Sequence, residues 1–269
     1  MWGYEYCDII ESVHVGYCKR FLGVNNSVNN CMALGECGRM PLSVTYQTNV
    51  IKYWCKLIQM QESRYPKQCY EMLKSFDDIG RITWATKVKE LLFKHGFGFV
   101  WISQTVGNMD IFIKLFRQRL IDCANQNWHD SVNSSSRCDF YKEFKSLLNT
   151  EKYLNVSLRK SLAGFRCSSH KFKIETGRHL NIHREERICI YCQQINNYRI
   201  IEIEHHVFFI CPRYVDVRTQ YLFTWYIHGN TPLDLYNLLQ MSRTVKLLSI
   251  YIHHVLQIHG QDNNERRVI

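Results

Sequence analysis

Apolar residues recur at intervals of three or four positions through the first 150 residues, which predicts a mainly helical N-terminal region. The stripes are Ile10, Val13, Tyr17 and Phe21; Val50, Trp54, Leu57 and Ile58; Trp84, Val88, Leu91 and Leu92; Phe112, Phe116 and Leu120; and Phe140, Phe144, Leu147 and Leu148. Each stripe is expected to be the buried face of its helix. Pro66 predicts the start of a further helix, because proline suits the first helical turn.

The helical pattern is interrupted at two places. The polar segment 131–138 predicts a loop between helices and a soft domain edge. Beyond about residue 165, Phe172 and Ile174 alternate with charged residues, which predicts a short strand. Residues 198–203 and 207–210 are further strand candidates.

Helical spacing returns near the C-terminus. The residues that carry it are Leu248, Ile252, Val255 and Leu256, and the polar end from Gln261 is expected to fray. We therefore predict a mainly α fold. It has a helical region over 1–150, a small α+β module over 151–230, and a C-terminal helix with a frayed tail over 231–269.

Composition excludes fibrous and disordered classes. Hydrophobic residues make up 46% and charged residues 22%, with only 4 Pro and 13 Gly, which is an ordinary globular mixture. The net charge of +10 favours an anionic partner, either nucleic acid or an acidic membrane surface. No apolar run is long enough for a membrane span, and the acidic N-terminus does not resemble a secretory signal. We expect an intracellular protein, nuclear or cytoplasmic.

Cysteine is frequent, with 12 residues in the chain. Without an export signal, a disulfide framework is not expected. Nine cysteines are scattered and are expected to be small buried hydrophobic residues. They are Cys7, Cys18, Cys31, Cys37, Cys55, Cys69, Cys123, Cys138 and Cys167.

The remaining three cysteines form a metal-ligand pattern with a histidine. Cys189, Cys192, His206 and Cys211 have the spacing Cys-x2-Cys-x13-His-x4-Cys. Three sulfurs and an imidazole are the ligands of a closed tetrahedral zinc site, which predicts one structural Zn²⁺ and no catalytic position. His205 is an alternative ligand to His206. The thirteen intervening residues are expected to form a hairpin.

Two further features surround this pattern. Glu202 and Glu204 lie close to His206 in the chain, and a carboxylate of either could orient its ring, although a solvated strand face explains them equally well.

The segment from Arg159 to Arg187 has eight Lys and Arg residues against three acidic ones. Such residues, interleaved with aromatic rings, favour nucleic-acid binding, and a solvated basic surface is the alternative. The candidate contacts are Arg166, Lys171, Lys173 and Arg178.

The metal-ligand pattern belongs to a series of short segments. In order they are Ala163-Gly164-Phe165-Arg166-Cys167-Ser168-Ser169-His170, Ile174-Glu175-Thr176-Gly177-Arg178, Glu186-Arg187-Ile188-Cys189-Ile190-Tyr191-Cys192, Ile201-Glu202-Ile203-Glu204-His205-His206 and Cys211-Pro212-Arg213-Tyr214. This series resembles the zinc-binding region that follows the polymerase domain in animal non-LTR (LINE-type) retrotransposon reverse transcriptases. Upstream, Gly35-Glu36-Cys37-Gly38-Arg39-Met40-Pro41-Leu42 and Ile51-Lys52-Tyr53-Trp54 are similar to the helical stretch between polymerase and zinc region.

The resemblance implies a zinc-stabilised module that binds element RNA or target DNA, in the C-terminal piece of a longer polyprotein. Phe172, Ile203 and Val207 depart from the family's usual Leu, Asp and Phe, at positions that are not ligands. The polymerase signature, aromatic-x-Asp-Asp, is missing: in Ser75-Phe76-Asp77-Asp78 a serine stands where the aromatic residue belongs, and the flanks predict a helix end. No enzymatic activity is therefore expected of this chain alone.

Two other functions stay open. Some related elements carry a restriction-like endonuclease, which needs clustered carboxylates and a lysine around a divalent metal. Glu143 and Lys145, with Asp130 or Asp139 upstream, supply fragments of that pattern. The second alternative is a protein-interaction zinc module of a domesticated element.

Overall fold

The computed structural model describes residues 8–146, 148, 154–222, 232–240 and 245–265. Within these ranges the fold is mainly α, as predicted, and the β pairing is limited to one isolated antiparallel bridge between Ile188 and Ile201. The predicted domain boundaries, after residues 150 and 230, lie outside the described residues. No helix in the described ranges is both long and apolar enough to cross a membrane.

Helices account for most of the described residues. They are α1 Asp8–Leu22, α2 Asn30–Cys37, α3 Leu42–Ile58, α4 Tyr65–Asp78, α5 Trp84–Lys94, α6 Gly98–Ser103, α7 Met109–Ser134, α8 Asp139–Lys142, α9 Val156–Arg166, α10 Lys173–His179, α11 Ile190–Asn196, α12 Val215–Tyr221, α13 Pro232–Gln240 and α14 Val245–Glu265. A π-helical turn covers His206–Ile210, and 3₁₀ turns cover Ser136–Cys138, Arg184–Glu186 and Pro212–Tyr214.

Two compact units divide the chain. The first comprises Met1–His14 and Met40–Asp130, and the second comprises Val15–Arg39 and Ser131–Ile269. Each unit has a hydrophobic core of its own.

The core of the first unit is built from the stripes predicted for α3, α5 and α7. Trp54, Leu92 and Phe116 are completely buried in one cluster. Trp54 donates its indole N–H to the hydroxyl of Tyr70 at 2.9 Å, and this hydroxyl donates to Gln104 at 2.6 Å. The polar atoms of these large side chains are therefore hydrogen-bonded inside the core. The helix predicted at Pro66 is also confirmed, as α4 has this proline in its first turn.

The core of the second unit is formed mainly where α9 and α12 pack against α14. Phe165, Phe172 and Phe208 are at most 1% exposed and stack edge-on or tilted against one another. The hydroxyl of Tyr251 in α14 donates to the carbonyl of Phe208 at 2.7 Å. Leu248 and others of the predicted C-terminal stripe are buried, and α14 continues to Glu265, past the predicted start of fraying.

The prediction for α1 is right about the helix and wrong about its face. Val13, Tyr17 and Phe21 are 62%, 55% and 38% exposed. The opposite face is buried, including Lys19, whose ammonium donates to the carbonyl of Asn26 at 2.8 Å. Apolar spacing reveals only the apolar face of a helix. It does not reveal a buried face that contains a hydrogen-bonded polar residue such as Lys19.

Residues 131–138 are not a simple loop. Helix α7 continues through Ser134, and the 3₁₀ turn follows directly. The next predicted helix is reduced to the four residues of α8, with Phe144 buried beyond its end. Leu147 lies outside the described residues.

The predicted strands are also wrong. Phe172 is extended for a single residue, as the N-cap of α10, and residues 207–210 belong to the π-helical turn. Of residues 198–203, Ile201 makes the one bridge already described. The N–H groups around Phe172 find other acceptors, since Lys173 donates its backbone N–H to the carboxylate of Glu202 at 2.6 Å. A side-chain carboxylate thus takes the place of the carbonyl that a partner strand would have offered to this N–H group.

Candidate metal centre

Local structure brings the first two cysteines to one point. Cys189 is the N-cap of α11, and Cys192 lies in the first turn of that helix. The backbone N–H of Cys189 donates to the carbonyl of Ile200 at 2.8 Å, next to the bridge between Ile188 and Ile201. The chain therefore returns through α11 and a short extended pairing, not through the predicted hairpin.

The second pair of ligands is held by the π-helical turn. His206 begins that turn, and Cys211 follows its last residue. The backbone N–H of Cys211 donates to the carbonyl of His206 at 2.8 Å. Arg218 donates from Nη2 to the carbonyl of Cys211 at 2.8 Å, which attaches this end of the site to α12.

The four side chains converge in the core of the second unit. Cys189, Cys192, His206 and Cys211 are all buried, and one potential ligand atom from each lies within 4.8 Å of all the others. The Sγ atom of Cys211 is 3.8 Å from that of Cys189 and 3.7 Å from that of Cys192. Nε2 of His206 is 3.4 Å from the Sγ atom of Cys192. This group can hold a metal ion.

These distances fit a tetrahedral ion of ordinary size. A tetrahedron with metal–sulfur bonds of about 2.3 Å separates two sulfurs by about 3.8 Å. With a metal–nitrogen bond of about 2.0 Å, sulfur and nitrogen lie about 3.5 Å apart. The cluster therefore has the spacing of a closed four-ligand site.

The neighbouring thiols shift each other's proton affinity. The hydrogen bond from Cys211 lowers the pKa of Cys189 to about 3, while burial and the charge of Cys189 raise the pKa of Cys192 to about 11. The hydrogen bond to Cys189 also raises the pKa of Cys211. The three thiols therefore do not titrate independently, and a bound ion must displace thiol protons because thiolates are the ligands.

His206 is the histidine of this cluster, whereas His205 lies outside it. The ring of His205 contacts that of Phe209, with centroids 5.4 Å apart, and burial lowers the pKa of His205. Its Nε2 atom is buried and has no hydrogen-bond partner among the described residues. The geometry thus favours His206, the predicted ligand, over His205.

The two nearby glutamates do not orient the His206 ring, which corrects that prediction. Nδ1 of His206 has no hydrogen-bond partner within the described ranges. Glu204 accepts a hydrogen bond from Nε2 of His170 at 3.1 Å, and Glu202 binds the backbone N–H of Lys173. Burial acts to raise the pKa of Glu204, but His170 outweighs it and the pKa is lowered. Through these hydrogen bonds, both carboxylates connect the segment that contains His206 to the chain around α10.

The candidate nucleic-acid contacts have different environments. Arg166 is only 3% exposed, and its guanidinium donates to Glu36 at 3.3 Å and to the carbonyl of Leu239 at 2.6 Å, so it is a core residue and cannot meet a phosphate. Lys173 is half-buried. Lys171 and Arg178 are exposed, and Arg178 pairs with Glu175 on its own helix.

The nuclease fragment does not form a metal site in the described residues. Lys145 is buried, and its ammonium lies 3.0 Å from the carboxylate of Glu36, while Glu143 is exposed. Asp139 pairs with Lys142 at 2.7 Å. Within the described ranges, the Cys₃His group is the one cluster of three or more His, Cys, Asp or Glu side chains close enough to share an ion.

Comparison with known proteins adds no relative. No protein family, characterised protein or solved structure matches this chain. Sequence reasoning found all four residues of the cluster because their spacing is a local signal. It did not indicate that Glu36 is the buried acid of an ion-pair group or that Arg137 lines a cleft, since neither residue belongs to a recognisable local pattern.

Proposed function

We propose that the second unit contains a zinc-stabilised nucleic-acid-binding module of the kind found after the polymerase domain of non-LTR retrotransposon reverse transcriptases. The observation that carries the proposal is the buried Cys₃His cluster, with sulfur–sulfur distances of 3.7 and 3.8 Å. Zinc is the ion that tetrahedral sites of this composition usually hold. The sequence resemblance around these ligands supports the family assignment.

In this proposal the zinc ion is structural. Four protein ligands leave no position open for water or substrate. The ion joins α11 to the π-helical turn. Burial of all four ligands is consistent with this role.

Charge supports an anionic partner. The chain carries a net charge of +10, and Lys171, Arg178 and Arg184 are exposed on the second unit. Basic side chains that neutralise phosphates release counterions, which makes such binding strongly dependent on salt.

The zinc assignment is tested by elemental analysis of the purified full chain. We expect about one equivalent of zinc in the wild type, and loss of most of it in Cys192→Ser, because three ligands hold the ion far less tightly than four. Cys69→Ser is the matched control, since Cys69 is an exposed cysteine outside the cluster. Less than about half an equivalent in the wild type, or full retention in Cys192→Ser, would contradict the assignment.

The nucleic-acid assignment is tested by fluorescence anisotropy with labelled single-stranded RNA and DNA of the same length. Affinity is expected to fall steeply between about 50 and 200 mM salt. A flat salt response, or no binding to either strand, would contradict the proposal. A flat response would favour the alternative of a protein-interaction zinc module.

A further inference from the structure

A small cleft of about 130 Å³ lies between the turn that precedes α2 and the loop that follows α9. Its polar lining includes Arg137, Lys171, Arg178, Ser27, Asn29 and Ser169. None of the described residues that line it is acidic. The cleft therefore offers positive charge and hydrogen-bond donors without a competing carboxylate in its wall.

Two of its cations have no counterion among the residues that the structure describes. Arg137 and Lys171 are exposed, and neither makes an ion pair in the described part of the chain. Arg178 has its carboxylate partner, Glu175, on its own helix, and its side chain is still 42% exposed. Unpaired cations that share one concave surface attract an anion more strongly than the same charges spread over a convex one.

The loop after α9 is held in one conformation. Ser169 donates its backbone N–H to the carbonyl of Gly164 at 2.7 Å, and Ser168 donates to that of Phe165 at 3.1 Å. These two bonds form the C-terminal motif in which the residue after the C-cap is left-handed, and Ser168, which follows the C-cap Cys167, accordingly has φ of 51°. Asn25 donates its backbone N–H to the hydroxyl oxygen of Ser169 at 2.9 Å, which joins the loop to the turn before α2.

The hydroxyls and a buried imidazole complete the lining. The oxygen of Ser169 accepts from Asn25, which leaves its O–H free to donate into the cleft. His170 also lines the cleft with a fully buried side chain, but its Nε2 atom donates to Glu204, so Nδ1 is not counted among the donors. The donors that a tetrahedral oxyanion requires are supplied by the basic side chains and the hydroxyl of Ser169.

We propose that this cleft binds one phosphate group of the nucleic-acid backbone, held by Arg137, Lys171 and Arg178. The inference rests on the proposed function and names the site that would hold the phosphate. Because three separate chain segments supply the lining, the site exists only in the folded second unit. The site is expected to bind without sequence specificity, since contacts from cations and hydroxyls to phosphate do not distinguish the bases.

The test compares two double variants of the full chain. Arg137→Gln with Lys171→Gln removes both unpaired cations of the cleft. Arg199→Gln with Lys246→Gln is the matched control, because it removes one exposed arginine and one exposed lysine of the same unit that do not line the cleft. All four side chains are exposed, so helical content and zinc content serve as checks that each variant is folded.

The measured quantity is the salt dependence of binding to a single-stranded RNA. The cleft variant is expected to bind about tenfold more weakly at about 100 mM salt, with a slope of log K against log salt smaller by about 0.7. The control is expected to change affinity by less than about threefold. Equal losses in both variants would overturn the inference, since total charge would then explain them.

A second arm separates the sources of phosphate. Inorganic phosphate is titrated into each protein and followed by calorimetry, and it should compete with RNA for the wild type and the control variant but not for the cleft variant. If the wild type binds inorganic phosphate but no RNA or DNA, a free ion is the ligand and the nucleic-acid site is overturned. If both variants weaken RNA binding equally, the cleft is not the phosphate site. The proposed nucleic-acid binding would still hold in that case.

Discussion

Glu36 is the acid on which three buried polar side chains converge. Its carboxylate lies 3.0 Å from the ammonium of Lys145 and 3.3 Å from the guanidinium of Arg166, and it accepts a hydrogen bond from Tyr141 at 3.2 Å. Glu36 itself is 4% exposed. A buried charge is tolerated only with such partners, so each member of the group depends on the others.

Replacing Glu36 with glutamine should strongly destabilise the second unit. Two cations would remain buried without their anion, and removal of one partner from a buried pair costs about 3–5 kcal/mol. Urea unfolding at neutral pH measures the free-energy difference. Glu186→Gln is the control, because Glu186 is exposed, and it should change stability by less than about 0.5 kcal/mol.

The same substitution should alter the response to acid. Burial acts to raise the pKa of Glu36, but the charges of Arg166 and Lys145 outweigh it, so the pKa lies below its ordinary value of 4.5. The stabilisation from this lowered pKa is complete above 4.5 and is lost as the pH falls through the folded-state value. The stability difference between wild type and Glu36→Gln should therefore shrink in acid. A difference that stays constant down to pH values well below 4.5 would contradict this assignment.

Arg166 illustrates why residue roles are hard to predict from the chain alone. It lies in a basic, aromatic-rich segment, which favours a surface contact with phosphate. Its carboxylate partner is 130 positions away in the chain, so no local pattern indicates the burial. Lys171, five residues later, has no such partner and stays exposed.

Helix α9 begins with a side-chain cap. Asn155 is its N-cap, and Oδ1 of this residue accepts a hydrogen bond from the backbone N–H of Leu158 at 2.9 Å. The first turn of a helix has N–H groups without helical partners, and the cap satisfies one of them.

Asn155→Ala should lower the free energy of unfolding of the second unit by about 1 kcal/mol, because the capping acceptor is lost. Thermal and urea unfolding both report this change. Asn155→Asp keeps an acceptor at the same place and should retain most of the stability. Equal losses in the two variants would show that capping is not the cause.

Helix prediction succeeds where burial follows the strongest apolar stripe. Trp54, Leu92 and Phe116 belong to these stripes and are completely buried. It fails for α1, where Tyr17 and Phe21 are exposed, because other parts of the chain cover the opposite face. The strand predictions fail for a related reason: alternation around Phe172 suits a strand only if a partner strand is available.

The Cys₃His cluster lies within one of the two compact units. The core of the first unit, which includes Ile51, Trp54 and Leu92, contains none of the four side chains of this cluster. The Cys₃His cluster and both elements that it joins lie in the second unit.

Removal of metal by a strong chelator should therefore unfold the metal-ligand segment and leave the first unit folded. Hydrogen exchange followed by mass spectrometry should show loss of protection in α11 and the π-helical turn, and unchanged protection in α3 and α5. The wild type with chelator and excess zinc is the control and should show no change. Unaltered exchange in α11 after complete metal removal would refute the structural role of the ion.

The positions of most helices and the four residues of the Cys₃His cluster follow from short-range patterns, because helical period and Cys/His spacing involve residues close together in the chain. The buried face of α1, the Glu36 group, the partners of Glu202 and Glu204, and the cleft between Arg137 and Lys171 do not follow from such patterns. They arise from contacts between residues far apart in the chain. Burial and charge pairing depend on which segments meet in space, and that is decided when the whole chain packs.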